Sequence, residues 1–103
     1  MNTGRIDHQD IRIGTLVGGN ARSAATIAQI LPHGFESFEI TFWQELGDCD
    51  VGALARDVRK TLDGSGAVIS ALGIFGNPLD PSAAKHEKTL EGWKTCIDNA
   101  HLF

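Results

Sequence analysis

Three short apolar segments in this chain predict three β-strands. They cover residues 11–17, 35–43 and 68–79, and the first and third run into turns containing glycine and asparagine. The second segment alternates, with Phe38, Ile40 and Phe42 on one face and more polar residues on the other. The third is a continuous apolar run, which is typical of a strand buried on both faces.

Apolar residues at helical spacing predict one helix after each strand. The helices begin at or near Ser23, Val51 and Pro81, and the third extends to Phe103. The candidate N-caps are Ser23 or Asn20 for the first helix and Asp48 or Asp50 for the second. The apolar side of the third carries Leu90, Trp93, Ile97 and Ala100, and Cys96 on the same side is expected to pack in the core. The order βαβαβα predicts parallel strands joined by right-handed crossovers, with the helices packed outside the sheet.

The strand spacing narrows the fold class. The predicted strands begin near residues 11, 37 and 67, about 26 and 30 residues apart, which is close to one-eighth of a (β/α)8 barrel of about 250 residues. Three parallel strands alone would leave unpaired edges and uncovered apolar surface. We therefore expect an α/β fold in which residues 11–103 form the first three βα units of a TIM barrel, as a fragment or truncation, after a polar lead-in at residues 1–10.

Composition argues against several classes of protein. The net charge is −4 and the basic residues are scattered, so nucleic acid is not an expected partner. No stretch approaches the roughly 20 apolar residues that span a bilayer, and the polar first residues lack a signal-peptide core, so we expect no membrane partner and a cytoplasmic location. Cys49 and Cys96 form no Cys-x-x-Cys pair, and the histidines form no i, i+4 pair, so the usual zinc motifs are absent from the sequence.

Several segments resemble one family of TIM barrels. They are residues 11–17, the segment Gly34-Phe35-Glu36-Ser37-Phe38-Glu39-Ile40, residues 97–103 and above all Ser70-Ala71-Leu72-Gly73-Ile74-Phe75-Gly76-Asn77-Pro78-Leu79. On these segments the chain resembles the N-terminal portion of the sugar phosphate isomerase/epimerase family, whose members are xylose-isomerase-like barrels. The similarity covers residues 11–103, in register with the predicted strands and helices.

The resemblance implies isomerisation or epimerisation of a sugar or polyol derivative by proton transfer next to a carbonyl, usually with a divalent metal that polarises that carbonyl. In the family the metal ligands come mostly from strands five to eight. We therefore expect a divalent metal in the full-length protein, and neither a metal nor turnover in these three units alone. A related endonuclease branch places histidines where this chain has Trp43 and Asn77, which argues against DNA repair.

Four residues are candidates for substrate binding: Asn77, Glu39, Trp43 and Phe75. Asn77 ends the third strand at the face where barrel active sites form, and its amide both donates and accepts hydrogen bonds. Glu39 would accept from a sugar hydroxyl or support the metal site, while Trp43 and Phe75 would wall the pocket and stack on the sugar. Simpler interpretations stay open, namely a turn role for Asn77, a solvent-facing carboxylate for Glu39 and core packing for the aromatic residues.

A second function is also compatible with the sequence. In that hypothesis the chain is a non-catalytic sugar-binding or self-assembling βα module. The open strand edges would pair with another copy and form a homo-oligomer. The two hypotheses differ in whether metal-ligating residues complete the barrel.

Overall fold

The computed structural model describes residues 11–103, so the predicted lead-in at residues 1–10 lies outside the described residues. The strands are β1 (Gly14–Gly18), β2 (Ser37–Phe42) and β3 (Val68–Ile74). The helices are α1 (Ser23–Ile30), α2 (Val51–Leu62) and α3 (Ala83–Asn99), and 3-10 turns at Leu31–His33 and Ala100–Leu102 extend α1 and α3. Each strand is shorter than its apolar segment because the segment ends belong to connecting loops.

The three strands form one parallel sheet in the order β1-β2-β3. This confirms the predicted α/β fold with alternating strands and helices. The strand order never reverses, so the connections have no reason to cross to the second face of the sheet. The helices accordingly form one layer, with α2 in contact with both α1 and α3.

The core lies between this helix layer and one face of the sheet. Phe38, Ile40 and Phe42 of β2 have no exposed surface, and they pack with apolar residues of α1 and α2. Burial of each such side chain contributes about 1.5–3 kcal/mol. The start of α2 is fixed by Asp50, whose Oδ1 accepts from the Ala53 backbone N–H at 3.0 Å, so Asp50 is the cap of the two candidates.

The other face of the sheet is open within residues 11–103. Leu16 on β1 is 58 % exposed, and its neighbours in the same row across the sheet are the half-buried Glu39 and the exposed Ala71. The predicted burial of the third strand on both faces is therefore absent within residues 11–103. β3 is an edge strand, and only its helix-facing residues pack against the core.

A bulge in β3 explains why its apolar pattern does not alternate. Phe38 pairs with Ile69 and Glu39 pairs with Ala71, so Ser70 is an extra residue in the ladder. The bulge places Ile69 and Leu72, three residues apart, on the same helix-facing side.

The orientation of α3 differs from the sequence prediction. Its buried residues are Thr89, Gly92 and Cys96. A Cβ at Gly92 would lie 2.5 Å from Ile74 Cδ1, so this glycine permits α3 to approach β3 closely. Burial of Cys96 confirms its predicted packing role, whereas the large residues predicted to be buried are exposed, at 43 % for Leu90, 37 % for Trp93 and 74 % for Ile97.

Candidate functional site

The carboxyl ends of the three parallel strands lie at one edge of the sheet, where barrel enzymes build their sites. Two backbone hydrogen bonds extend the ladder beyond the strands there. Gly19 N–H donates to Thr41 O at 2.7 Å, and Phe75 N–H donates to Phe42 O at 3.2 Å. A Cβ at Gly19 would lie 2.5 Å from the Phe42 ring, so the first loop is packed directly on the core.

Ser23 anchors the same loop rather than capping α1. It is the first residue of the helix and is fully buried. Its Oγ lies 2.6 Å from Gly18 O and accepts from Asn20 N–H at 2.9 Å. Asn20 Oδ1 accepts from Arg22 N–H at 2.7 Å, so the loop is a compact turn.

Trp43 and Phe75 form an aromatic pair just beyond the ends of β2 and β3. Their ring centroids are 5.8 Å apart and the rings are nearly perpendicular, at 83°. Both side chains are exposed, Trp43 at 73 % and Phe75 at 59 %. Within residues 11–103 neither ring packs in the core, and the pair forms an exposed aromatic surface at this edge.

Asn77 has a structural role in the loop after β3. Its Oδ1 accepts from Leu79 N–H at 2.9 Å, and its backbone carbonyl accepts from Asp80 N–H at 3.2 Å. This is an asparagine turn of the kind its sequence context favours. The turn uses the acceptor end of the exposed side chain, and the amide N–H donors take no part in it.

Asn77 and Phe75 line a cleft of about 360 Å³ between two loops and the first turns of α3. This volume is within the range of about 300–1,000 Å³ that small-molecule sites occupy. The remaining walls are formed by Gln44, Glu45, Gly76, Asp80, Ala84, Lys85, Lys88 and Thr89. Lys88 Nζ lies 3.5 Å from Glu45 Oε2, which joins the second loop to α3 across the cleft.

Two close contacts hold the third loop against α3. A Cβ at Gly76 would lie 2.5 Å from Thr89 Oγ1 and 2.7 Å from Gln44 O. His86 Nδ1 lies 2.5 Å from the Pro78 carbonyl oxygen. The loop carrying Asn77 is therefore positioned by packing on a long helix rather than left free in solvent.

Glu39 lies elsewhere, on the open face of the sheet, and it does not line the cleft. A Cβ at Gly73 would lie 3.4 Å from Glu39 Oε1 and 3.2 Å from Thr41 Oγ1, so both side chains point to the face on which a side chain at position 73 would stand. Strand alternation places Trp43 on this same face. Phe75 joins the two regions, because it lines the cleft and contacts Trp43.

Sequence reasoning overlooked Thr41. Within residues 11–103 its Oγ1 is the buried side-chain polar atom that has no hydrogen-bond partner. The available signal was its position between Glu39 and Trp43 on one face of an alternating strand, which marks a hydroxyl among candidate binding residues. The missing partner itself depends on packing and has no signature in the sequence.

The described residues do not fit a metal site. Residues 11–103 contain no group of three or more His, Cys, Asp or Glu side chains placed to hold a metal ion. Burial raises the pKa of the Cys49 thiol, with a further contribution from Asp50 and then Asp48, and burial followed by the proximity of Cys49 raises the pKa of Cys96. Both groups are therefore protonated at neutral pH and are weak nucleophiles.

Comparison with protein-family models, with curated proteins and with solved structures gives no match for this chain. The resemblance to sugar phosphate isomerases and epimerases therefore rests on its sequence segments, chiefly residues 34–40 and 70–79. Over the described range 11–103, no helix combines the length and the hydropathy needed to cross a membrane.

Proposed function

We propose that this chain is the N-terminal part of a metal-dependent sugar or sugar phosphate isomerase or epimerase with a TIM-barrel fold. The observation that carries the proposal is the separation of the two sheet faces. The helices pack on one face, while Glu39 lies on the other face and the Trp43–Phe75 pair lies at the strand ends. A barrel sector has this arrangement, since helices cover its outside and the strand ends border the pocket.

The reaction in this proposal is proton transfer next to a sugar carbonyl. A divalent metal, when bound, would polarise the carbonyl; its ligands would come from residues other than the described ones. Asn77 would donate to a sugar hydroxyl through the amide N–H group that its turn leaves unused, and Glu39 would accept from another hydroxyl. The exposed Trp43–Phe75 pair would stack on the apolar face of the sugar.

Kinetics of the full-length protein with aldose and ketose substrates and Mg²⁺, Mn²⁺ or Co²⁺ test the proposal. Asn77→Ala removes both the turn acceptor and the amide donor, whereas Asn77→Asp keeps an acceptor for Leu79 N–H and removes only the donor. We expect both variants to raise KM by about tenfold, the equivalent of one neutral hydrogen bond. Wild-type kinetics in Asn77→Asp would restrict Asn77 to the turn, and absence of turnover with every sugar and metal would contradict the proposed function.

The second candidate, a self-assembling module, is favoured by the exposed side of α3. The residues of α3 near the β2–α2 loop are Lys88, Glu91, Gly92 and Thr95. At 100° per residue, Leu90, Trp93 and Ile97 lie on the opposite flank, away from that loop. They form an exposed apolar stripe, a surface that another copy could cover.

Sedimentation of the purified chain over a hundredfold concentration range tests this candidate. Self-association through the stripe predicts that Ile97→Lys lowers the average mass, because Ile97 is 74 % exposed and a charge would be buried in the contact. Glu87→Gln, an exposed change outside the stripe, is the control. A chain that remains monomeric throughout the range would contradict assembly through this surface.

A further inference from the structure

Thr41 lies in an unusual row of the sheet. Its paired neighbours are Gly18 on β1 and Gly73 on β3, so no side chain flanks it on either side. A Cβ at Gly18 would meet only Asn20 Nδ2, at 3.9 Å. The open face therefore has one depression over Gly18 and another over Gly73, on the two sides of the Thr41 side chain.

The Thr41 hydroxyl is shielded from solvent without any hydrogen-bond partner among the described residues. Most buried hydroxyls in proteins are hydrogen-bonded, because an unsatisfied one destabilises the fold. No helix of residues 11–103 packs on this face, so no second layer of structure covers the hydroxyl. Rotation of a side chain can therefore expose the hydroxyl without movement of the backbone.

Two oxygen atoms of different chemistry border the depression over Gly73. Thr41 Oγ1 and Glu39 Oε1 lie 3.2 Å and 3.4 Å from the position that a Cβ would take at Gly73. The threonine hydroxyl can donate a hydrogen bond, and the carboxylate can accept one. A single ligand hydroxyl, which both accepts and donates, matches this pair.

We propose that Thr41 and Glu39, together with the depression over Gly73, form a subsite that binds one hydroxyl group of a sugar or polyol. The subsite rests on the proposed function, to which it adds Thr41 as a binding residue and Gly73 as the residue that leaves room for the ligand. An unpaired hydroxyl that destabilises the free protein is then explained by the bond it forms with ligand.

Glycerol is a suitable probe, because it offers hydroxyl groups and has no carbonyl to isomerise. Wild-type protein labelled with ¹⁵N is expected to show saturable shifts at the amides of positions 41 and 73 on titration with glycerol. Thr41→Val, which removes the hydroxyl at nearly constant shape, and Gly73→Ala, which fills the depression, should each weaken glycerol binding at least tenfold. Gly18→Ala, in the same row but facing open space, should bind within twofold of wild type.

Thermal unfolding without ligand gives a second, independent measurement. Thr41→Val should unfold at a higher temperature than wild type, because it removes an unsatisfied buried hydroxyl. Absence of shifts at positions 41 and 73, glycerol binding to Thr41→Val within twofold of wild type, or a lower unfolding temperature for this variant would each overturn the subsite. Glycerol binding at these positions in a protein that converts no sugar would overturn the proposed function and leave the subsite in place.

Discussion

Gly76→Ala tests how the loop that carries Asn77 is positioned. Gly76 has no positive φ angle, so its requirement is for space rather than for an unusual backbone conformation. The added Cβ would lie 2.5 Å from Thr89 Oγ1 and 2.7 Å from Gln44 O, against about 3.5 Å for relaxed contact. Overpacking of this kind costs about 1–3 kcal/mol, and the fixed position of the backbone oxygen of Gln44 places the expected loss near about 2–3 kcal/mol.

Urea unfolding measures this loss as a lower midpoint at an unchanged slope. The double variant Gly76→Ala/Thr89→Ala should recover only part of the stability, because it removes the Thr89 contact and retains the contact with Gln44 O. Gly18→Ala is the matched control and should unfold within about 0.5 kcal/mol of wild type or be slightly more stable. If Gly76→Ala is as stable as Gly18→Ala, the loop is not packed against α3 and the description of the cleft is incorrect.

Two further predictions concern the N-cap of α2 and the two cysteine thiols. Asp50→Ala should lower the free energy of unfolding by about 1 kcal/mol, because it removes the cap of α2. The control Asp48→Ala should change it by less than about 0.5 kcal/mol. Equal effects of the two variants in urea unfolding would refute the assignment of Asp50 as the cap. Burial raises the pKa of Cys49 and Cys96 in the folded protein, so the thiols ionise first in the unfolded chain. The contribution of the thiols to the free energy of unfolding should therefore be constant below the unfolded thiol pKa of about 8.5 and decrease as the pH rises through it. Cys96→Ala should reduce this decrease between pH 8 and 10, and an unchanged pH dependence would contradict the burial effect.

The features of the fold that were predicted correctly are those that follow from patterns of residues close together in the chain. The positions of α2 follow from its helical period, and the parallel order follows from the alternation of strands and helices. The cap of α2 stayed open between two aspartates because either could accept the first-turn N–H groups. Only the structure distinguishes Asp50, through its contact with Ala53 N–H.

The orientation of α3 could not be predicted from hydrophobicity. The sequence indicated a buried side that carries Leu90, Trp93 and Ile97 as well as Cys96. Of these only Cys96 is buried, and Thr89 and Gly92 complete the contact surface of α3. The helix can approach Ile74 closely only because Gly92 has no side chain, so small residues are favoured at this contact. Which side of α3 is buried therefore depends on the distance between α3 and β3. A periodic pattern in the sequence gives no information about that distance.

The candidate site was predicted in part. Asn77 and Phe75 lie at one cleft and Phe75 contacts Trp43, while Glu39 lies apart on the open face. The turn role of Asn77 was one of the two interpretations that the sequence left open. Its amide N–H group takes no part in the turn, so a binding role can still be tested. The lack of a hydrogen-bond partner for Thr41 Oγ1 could not be predicted, because it depends on the strand register, which pairs residues that are distant in the sequence.

The central claim, proton transfer next to a sugar carbonyl, is tested most directly by hydrogen exchange in deuterated water. The full-length protein is incubated with an aldose or ketose panel and a divalent metal, and the recovered sugars are analysed by mass spectrometry and NMR. Proposed isomerase or epimerase activity predicts deuterium on the carbon next to the carbonyl, and removal of the metal by a chelator should abolish the label. Recovery of every sugar unlabelled and unconverted, with metal present, would contradict the claim.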